Sequence, residues 1–346
     1  MKITVCISVL AALILSACKV APTAEELKYN APDYPETVRR TIVPVNRDLL
    51  LGNVMSLELC DSLVIMRAQS VDNGNVFHAV SVADGRVEGS FCNVGRGDKE
   101  LTDYSRTAFD RDKKRITGVD NTCRIVDIDV AKAIAGDIDY VSSERLTGSR
   151  NTTSRILVLD DGLLHVEGFT DRYFITDHTL RDTLVRYDDY PLLPKNTTAA
   201  VDTRDYFSMN SHSAIKPDRT RFVNVTHYGM ILEIFEIGDD GIERIAIRRF
   251  FEPKMQNRIS CDEDCVWGAT GIYATDRYIY ITYYDTADPA NSGRRMGIFD
   301  WDGNAVCLSD FDCTIRQFAV TPDDRRVYCW VQDADAEEYF GYFDLK

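Results

Sequence analysis

A unit of roughly fifty residues recurs along this chain and leaves few folds open to it. Its sharpest copy is residues 318–331, Phe-Ala-Val-Thr-Pro-Asp-Asp-Arg-Arg-Val-Tyr-Cys-Trp-Val. That stretch reads as a strand, a polar turn at 321–326, and a second strand rich in β-branched and aromatic residues. Weaker copies lie at 107–119, 214–225 and 271–282, and degenerate ones at 58–65 and 158–165. Marked by Asp61, Asp112, Asp161, Asp218, Asp276 and Asp323, the steps are 51, 49, 57, 58 and 47 residues. Helical periodicity is absent except for a weak hint at 131–135. Such a period, built of short strands and polar turns, predicts an all-β chain: a single six-bladed β-propeller of four-stranded antiparallel blades. The blades are expected at about 50–94, 105–145, 155–190, 206–251, 271–308 and from 313 onward.

The two ends of the chain answer each other. The last repeat stops after three strands, whereas residues 37–45 read as a strand with no hairpin partner before it. Closing the ring with this N-terminal strand, as the outermost strand of the sixth blade, would remove exposed edges. Asp-Gly pairs at Asp84-Gly85, Asp161-Gly162, Asp240-Gly241 and Asp302-Gly303 mark hairpin turns. The run Asp300-Trp301-Asp302-Gly303-Asn304 lacks the twelve-residue spacing and terminal Glu of a calcium loop, so it is read as a hairpin.

Before the propeller, Lys2 and the apolar residues 3–15 form a signal-type segment too short to span a bilayer. It ends in Leu15-Ser16-Ala17-Cys18, which resembles the bacterial lipobox. The resemblance implies cleavage before Cys18, a diacylglycerol on its sulfur and an acyl chain such as palmitate on its amine. Two or more chains give durable attachment, at about 0.8 kcal/mol per buried methylene. The domains are then a signal peptide at 1–17, a lipidated Cys18 with a Pro-containing tether at 18–35, and the propeller at 36–346. Lys19, where an inner-membrane lipoprotein would carry Asp, implies sorting to the outer membrane, on its periplasmic or its outer face.

A net charge of −15 with interspersed signs argues against nucleic acid as a partner. The membrane is reached through the lipid anchor. Beyond Cys6 and Cys18 there are eight cysteines, and Cys261 and Cys265, separated by Asp-Glu-Asp, are the expected disulfide. No zinc pairing, G-x-S-x-G elbow, H-E-x-x-H or phosphate-binding glycine loop occurs. Of five histidines, four fall in or beside strands and read as structural; His212, between Ser211 and Ser213, is the exception.

Residues 91–101, Phe-Cys-Asn-Val-Gly-Arg-Gly-Asp-Lys-Glu-Leu, are similar to the Gly-Arg-Gly-Pro-Gly-Glu-aromatic signature of the TolB-like and NHL-like six-bladed propeller lipoproteins of Bacteroidetes. Gly95, Arg96, Gly97 and Glu100 match; Asp98, Lys99 and Leu101 depart. The resemblance implies the six-bladed fold but no activity. In propellers the loops between blades converge at one mouth of the central channel. Here those loops carry Arg96, Tyr104, Arg204, Tyr206, Arg258, Trp267 and Arg316 as candidate binding residues. Guanidinium and aromatic groups suit a protein, peptide or glycan ligand. The sequence thus favours a non-enzymatic binding or scaffold module with no catalytic residues, no metal site and no cofactor. The alternative is a metal-dependent hydrolase or lactonase, with calcium held in the channel by residues such as Asp202, Asn224 and Glu233.

Overall fold

A computed structural model describes residues 27–69, 74–119, 124–145, 155–168, 171–258, 260–287 and 294–345. Cys18 and the rest of the leader lie outside these residues. Two short strands come first, β1 (Thr37–Arg39) and β2 (Val43–Asn46). Blade one holds β3 (Asn53–Cys60), β4 (Leu63–Gln69), β5 (Asn75–Ser81) and β6 (Val87–Val94), with the two-residue β7 (Glu100–Leu101) beside β6. Blade two holds β8 (Thr107–Asp110), β9 (Arg115–Val119), β10 (Arg124–Asp129) and β11 (Val141–Arg145). Blade three holds β12 (Arg155–Val158), β13 (Gly162–Val166), β14 (Tyr173–Asp177) and β15 (Thr183–Tyr187). Blade four holds β16 (Ser211–Ile215), β17 (Arg221–Thr226), β18 (Ile231–Gly238) and β19 (Gly241–Arg249). Blade five holds β20 (Gly268–Ala274), β21 (Tyr278–Tyr284), β22 (Arg295–Asp300) and β23 (Ala305–Asp310). Blade six holds β24 (Thr314–Val320), β25 (Arg326–Gln332) and β26 (Glu338–Asp344). The first strand of each blade is innermost, and β24 packs beside β3 to close the ring.

Burial explains the repeat seen in the sequence. Middle strands are covered on both faces, so β13 is buried throughout and β21 and β25 are buried at all but their ends. They therefore read as unbroken apolar runs. Outer strands such as β11 and β15 face water and carry polar residues. Asp61 and Asp324 sit in first-hairpin turns at φ 54° and 53°, the left-handed region that Asp tolerates better than most side chains. The 300–304 run is the hairpin expected: the Asp300 carboxylate accepts the backbone N–H groups of Asp302 and Asn304, and Gly303 supplies φ 79°.

Closure uses the N-terminal segment, but in two pieces. β2 pairs antiparallel with β26 as the outer strand of blade six, as expected. β1 instead pairs parallel with β23 as a fifth strand of blade five. Between them Arg40 donates to the Asp344 and Leu345 carbonyls at 3.1 and 2.8 Å, and Ile42 enters the core. Pro44 is tolerated in β2 because its missing N–H lies on an edge strand. The chain is fixed even earlier. Asn30 donates to the Arg249 carbonyl at 3.0 Å, and Tyr34 fills the space left by Gly297, where a Cβ would lie 2.1 Å from the Tyr34 hydroxyl. The last residues of the 18–35 tether thus lie along blades four and five.

Of the three short helices among the described residues, α1 (Val130–Ile134) falls where the sequence hinted. The other two, α2 (Lys195–Ala200) and α3 (Thr203–Asn210), occupy a stretch read as loop. Asp202 caps α3 by accepting from the Arg204 N–H, and Leu193, Val201, Tyr206 and Phe207 bury one side of the pair.

Candidate functional site

Inner strands from all six blades enclose a central cavity of ≈ 440 Å³. Because these strands start from the inter-blade loops, Thr107, Arg155, His212 and Thr270 lie toward the loop-side mouth. The first hairpins bring Asp110, Asp112, Lys216 and Arg219 to the opposite mouth. There Arg219 is a hub, reaching the Asp110 carboxylate at 2.9 Å, that of Asp112 at 3.1 Å, and that of Asp160 as well. It ties blades two, three and four together. Lys216 pairs with Asp218. The far mouth therefore carries more carboxylates than cations, Asp110, Asp112, Asp160 and Asp218 against Arg219 and Lys216.

Elsewhere in the lining the balance shifts. Arg67 of β4, Arg111 at the end of β8 and Arg155 of β12 all line the cavity, together with one carboxylate, Glu58 of β3. Arg67 is held by neutral acceptors: the Tyr104 and Ser105 carbonyls at 2.8 and 3.1 Å and the Thr107 hydroxyl at 3.1 Å. Arg111 donates to the Tyr273 hydroxyl and lies 5.5 Å from the centre of that ring. Burial pushes the Glu58 carboxyl up to about 7, although Arg111 and Arg67 pull it down. Burial also lowers the Arg155 guanidinium to about 10. It holds His212 down to about 3, aided by Arg155 and His227, so this imidazole is neutral at physiological pH.

The residues expected to form the binding face divide into several groups. Arg96, Arg258 and Arg316 are exposed. Arg316 lines a second pocket, of ≈ 370 Å³, with Tyr284, Gln317 and Glu338. Trp267 is half-buried among His227, Tyr228 and Tyr284, with ring centres 5.5, 6.0 and 5.7 Å away. Tyr104 is half-buried against the core of blades one and two. Arg204 is occupied by both Asp188 oxygens, at 3.1 and 3.2 Å. Tyr206 is a correction: it is 0% exposed, and its hydroxyl donates to the Tyr228 carbonyl. The α3 helix turns it inward, so it cannot touch a ligand.

The glycine-rich loop also differs from expectation. Its backbone winds around Glu100, whose carboxylate accepts the Gly97 N–H at 2.8 Å. A Cβ on Gly95 would meet that carboxylate at 1.9 Å. Arg124 clamps the loop through the Gly97 and Glu100 carbonyls, both at 2.9 Å. The glycines are needed for this close approach, and Arg96 is not part of the cavity lining.

Cys261 and Cys265 are free thiols, contrary to the expected disulfide. The loop is closed by backbone bonds instead: Asp262 N–H to the Lys254 carbonyl at 2.8 Å and Cys265 N–H to that of Asp262 at 3.0 Å. Buried Cys265 directs its thiol to the Val266 carbonyl at 3.6 Å. The calcium set does not assemble either. Asp202 caps α3, Asn224 bonds Ser213 and Ser211, and Glu233 is taken up by arginines. Among the described residues no three His, Cys, Asp or Glu side chains converge.

Sequence reasoning did not find Arg172, which is 0% exposed between blades three and four. It bonds Glu167 at 3.1 Å and Glu233 at 3.1 and 2.5 Å, and Arg244 donates at 3.1 Å to the same Glu233 Oε1 that Arg172 Nη1 reaches. Tyr173, Tyr190, Phe207 and Phe235 surround the guanidinium. Its partners come from distant repeats, so no local motif announces them.

Residues 33–323 match the family model described as TolB-like 6-blade propeller-like. Among solved structures, a DUF4221-family protein from Bacteroides vulgatus aligns with a TM-score of 0.54 at 11% identity, covering 92% of this chain and 98% of its own. A putative exported protein from Bacteroides fragilis gives 0.52 at 11% identity over the same shares, 92% and 98%. At such identities the likeness is one of fold. None of the curated proteins matches.

Proposed function

The chain belongs to the TolB-like six-bladed propeller family, and we propose that it is an envelope-anchored lipoprotein whose propeller is a recognition module rather than an enzyme. One observation carries the reading. The central cavity opens among polar and cationic side chains drawn from different blades, and at its loop side lie half-buried Trp267 and Tyr284 and exposed Arg316. Amphipathic rings and guanidinium groups around a concavity suit recognition of a partner. Against calcium-dependent hydrolysis, Arg67 and Arg111 in the lining would repel a divalent cation, and Asp110 and Asp112 are taken by Arg219. The Leu15-Ser16-Ala17-Cys18 box supplies the anchor.

The test is photo-crosslinking in whole cells. A photoreactive residue at position 316 or 267 should give discrete adducts in the membrane fraction, while one at exposed Leu184 on an outer strand should not. Equal labelling from all three positions, or none from 316 and 267, would contradict the reading.

A further inference from the structure

Around Glu58 the channel holds more positive charge than its own groups neutralise. Its lining carries five cationic side chains, Arg67, Arg111, Arg155, Lys216 and Arg219, against three carboxylates, Glu58, Asp110 and Asp112. Asp110 and Asp112 are bound by Arg219, and Lys216 is matched by Asp218. Arg155 is offset by Glu167, so Glu58 faces the two guanidinium groups of Arg67 and Arg111, in a chain whose net charge is −15. Among the described residues, Arg67 and Arg111 are bonded to carbonyl and hydroxyl oxygens only, and the Nε of each is buried without a partner. Native structures seldom leave such donors unmatched without a reason. Charge withdrawn from water and left uncompensated is costly, and an oxyanion would relieve it.

We propose that the channel is a binding site for a small organic carboxylate, held by Arg67 and Arg111, with the Tyr273 hydroxyl and Glu58 at its edge. An organic anion fits better than an inorganic one because Phe109, Ile272 and Met55 give the same cavity apolar walls. The volume lies within the range of small-ligand pockets, roughly 300–1,000 Å³. The guanidinium fork matches a planar carboxylate. This inference rests on reading the channel region as a recognition site and adds the class of ligand.

Glu58 gives the site a pH signature. Arg67 faces it from β4, Arg111 from β8 and Tyr273 from β20; Gln317 of β24, Arg155 and His212 share the cavity. The first two favour its ionised form and burial opposes it, leaving it at about 7. A carboxylate arriving beside Glu58 raises it further, so binding takes up a proton and strengthens as pH falls from 8 to 6.

Calorimetric titration of the purified full chain tests this, using sodium acetate, succinate, citrate and glucuronate against sodium sulfate and chloride at matched ionic strength. At least one carboxylate should bind saturably, more tightly than sulfate and more tightly at pH 6 than at pH 8. Arg111→Gln and Arg67→Gln should each weaken it by about tenfold or more, as loss of a charge-assisted bond requires. Glu58→Gln should bind equally at both pH values, and this variant keeps the test decisive should an arginine variant fail to fold. Binding by none of the four carboxylates, or binding unchanged in Glu58→Gln and in both arginine variants, would overturn the proposal. Crosslinks from positions 316 and 267 without carboxylate binding would remove this inference and leave the recognition role standing. Carboxylate binding without crosslinks would leave the channel site standing and remove a macromolecular partner at positions 316 and 267.

Discussion

At the scale of single residues, the side chain that most repays replacement is Arg172. Its charge is buried with Glu167 and Glu233, and its desolvation is tolerable only because both carboxylates answer it. Arg172→Met keeps the bulk and removes the cation, leaving Glu167 with no guanidinium bonded to it; Glu233 keeps only Arg244. The expected loss of stability is about 3–5 kcal/mol, the range for breaking a buried pair. Arg204→Ala, at a partly exposed pair with Asp188, should cost no more than about 1 kcal/mol. Denaturant unfolding of the two variants separates these values. If both lose the same small amount, the Arg172 cluster is not the strut between blades three and four.

Among the elements, the unusual ones are β1 and β2, which finish two different blades. Removing residues 19–28 should leave stability nearly unchanged, because among the described residues the first backbone tie to the body is at Asn30. Removing 19–46 strips β1 from β23 and β2 from β26, exposing two strand edges, and should cause aggregation. Light scattering of the two truncations checks this; similar behaviour would mean that neither strand closes an edge that matters. The blades themselves were legible because strands buried on both faces write apolar runs, and Asp-rich turns punctuate them. The sixth-blade closure was legible from a missing strand, but the parallel addition of β1 was not, since three residues carry no pairing signal. Helices α2 and α3 were hidden for a related reason: at six and eight residues they are too short for a 3.6-residue period to stand out. The site was read least well. Tyr206 was chosen as a loop aromatic and proved to be core, while Glu58, Arg67 and Arg111 passed unnoticed because they belong to strands and hairpins of the blades. Only closure of the ring brings them together with Tyr273.

At the scale of the whole molecule, an acidic body encloses a channel with a cationic region at Arg67 and Arg111, and the proposed anchor is Cys18. Such a contrast draws anions inward while the outer surface stays soluble. The competing account is a hydrolase in which Glu58, poised near neutrality, serves as the acid or base with calcium beside it. The most direct measurement is therefore turnover by the purified full chain, with and without added calcium, on a panel of lactones and phosphoesters. The recognition account predicts no product above the protein-free rate under either condition. Calcium-dependent turnover that disappears in Glu58→Gln would contradict it.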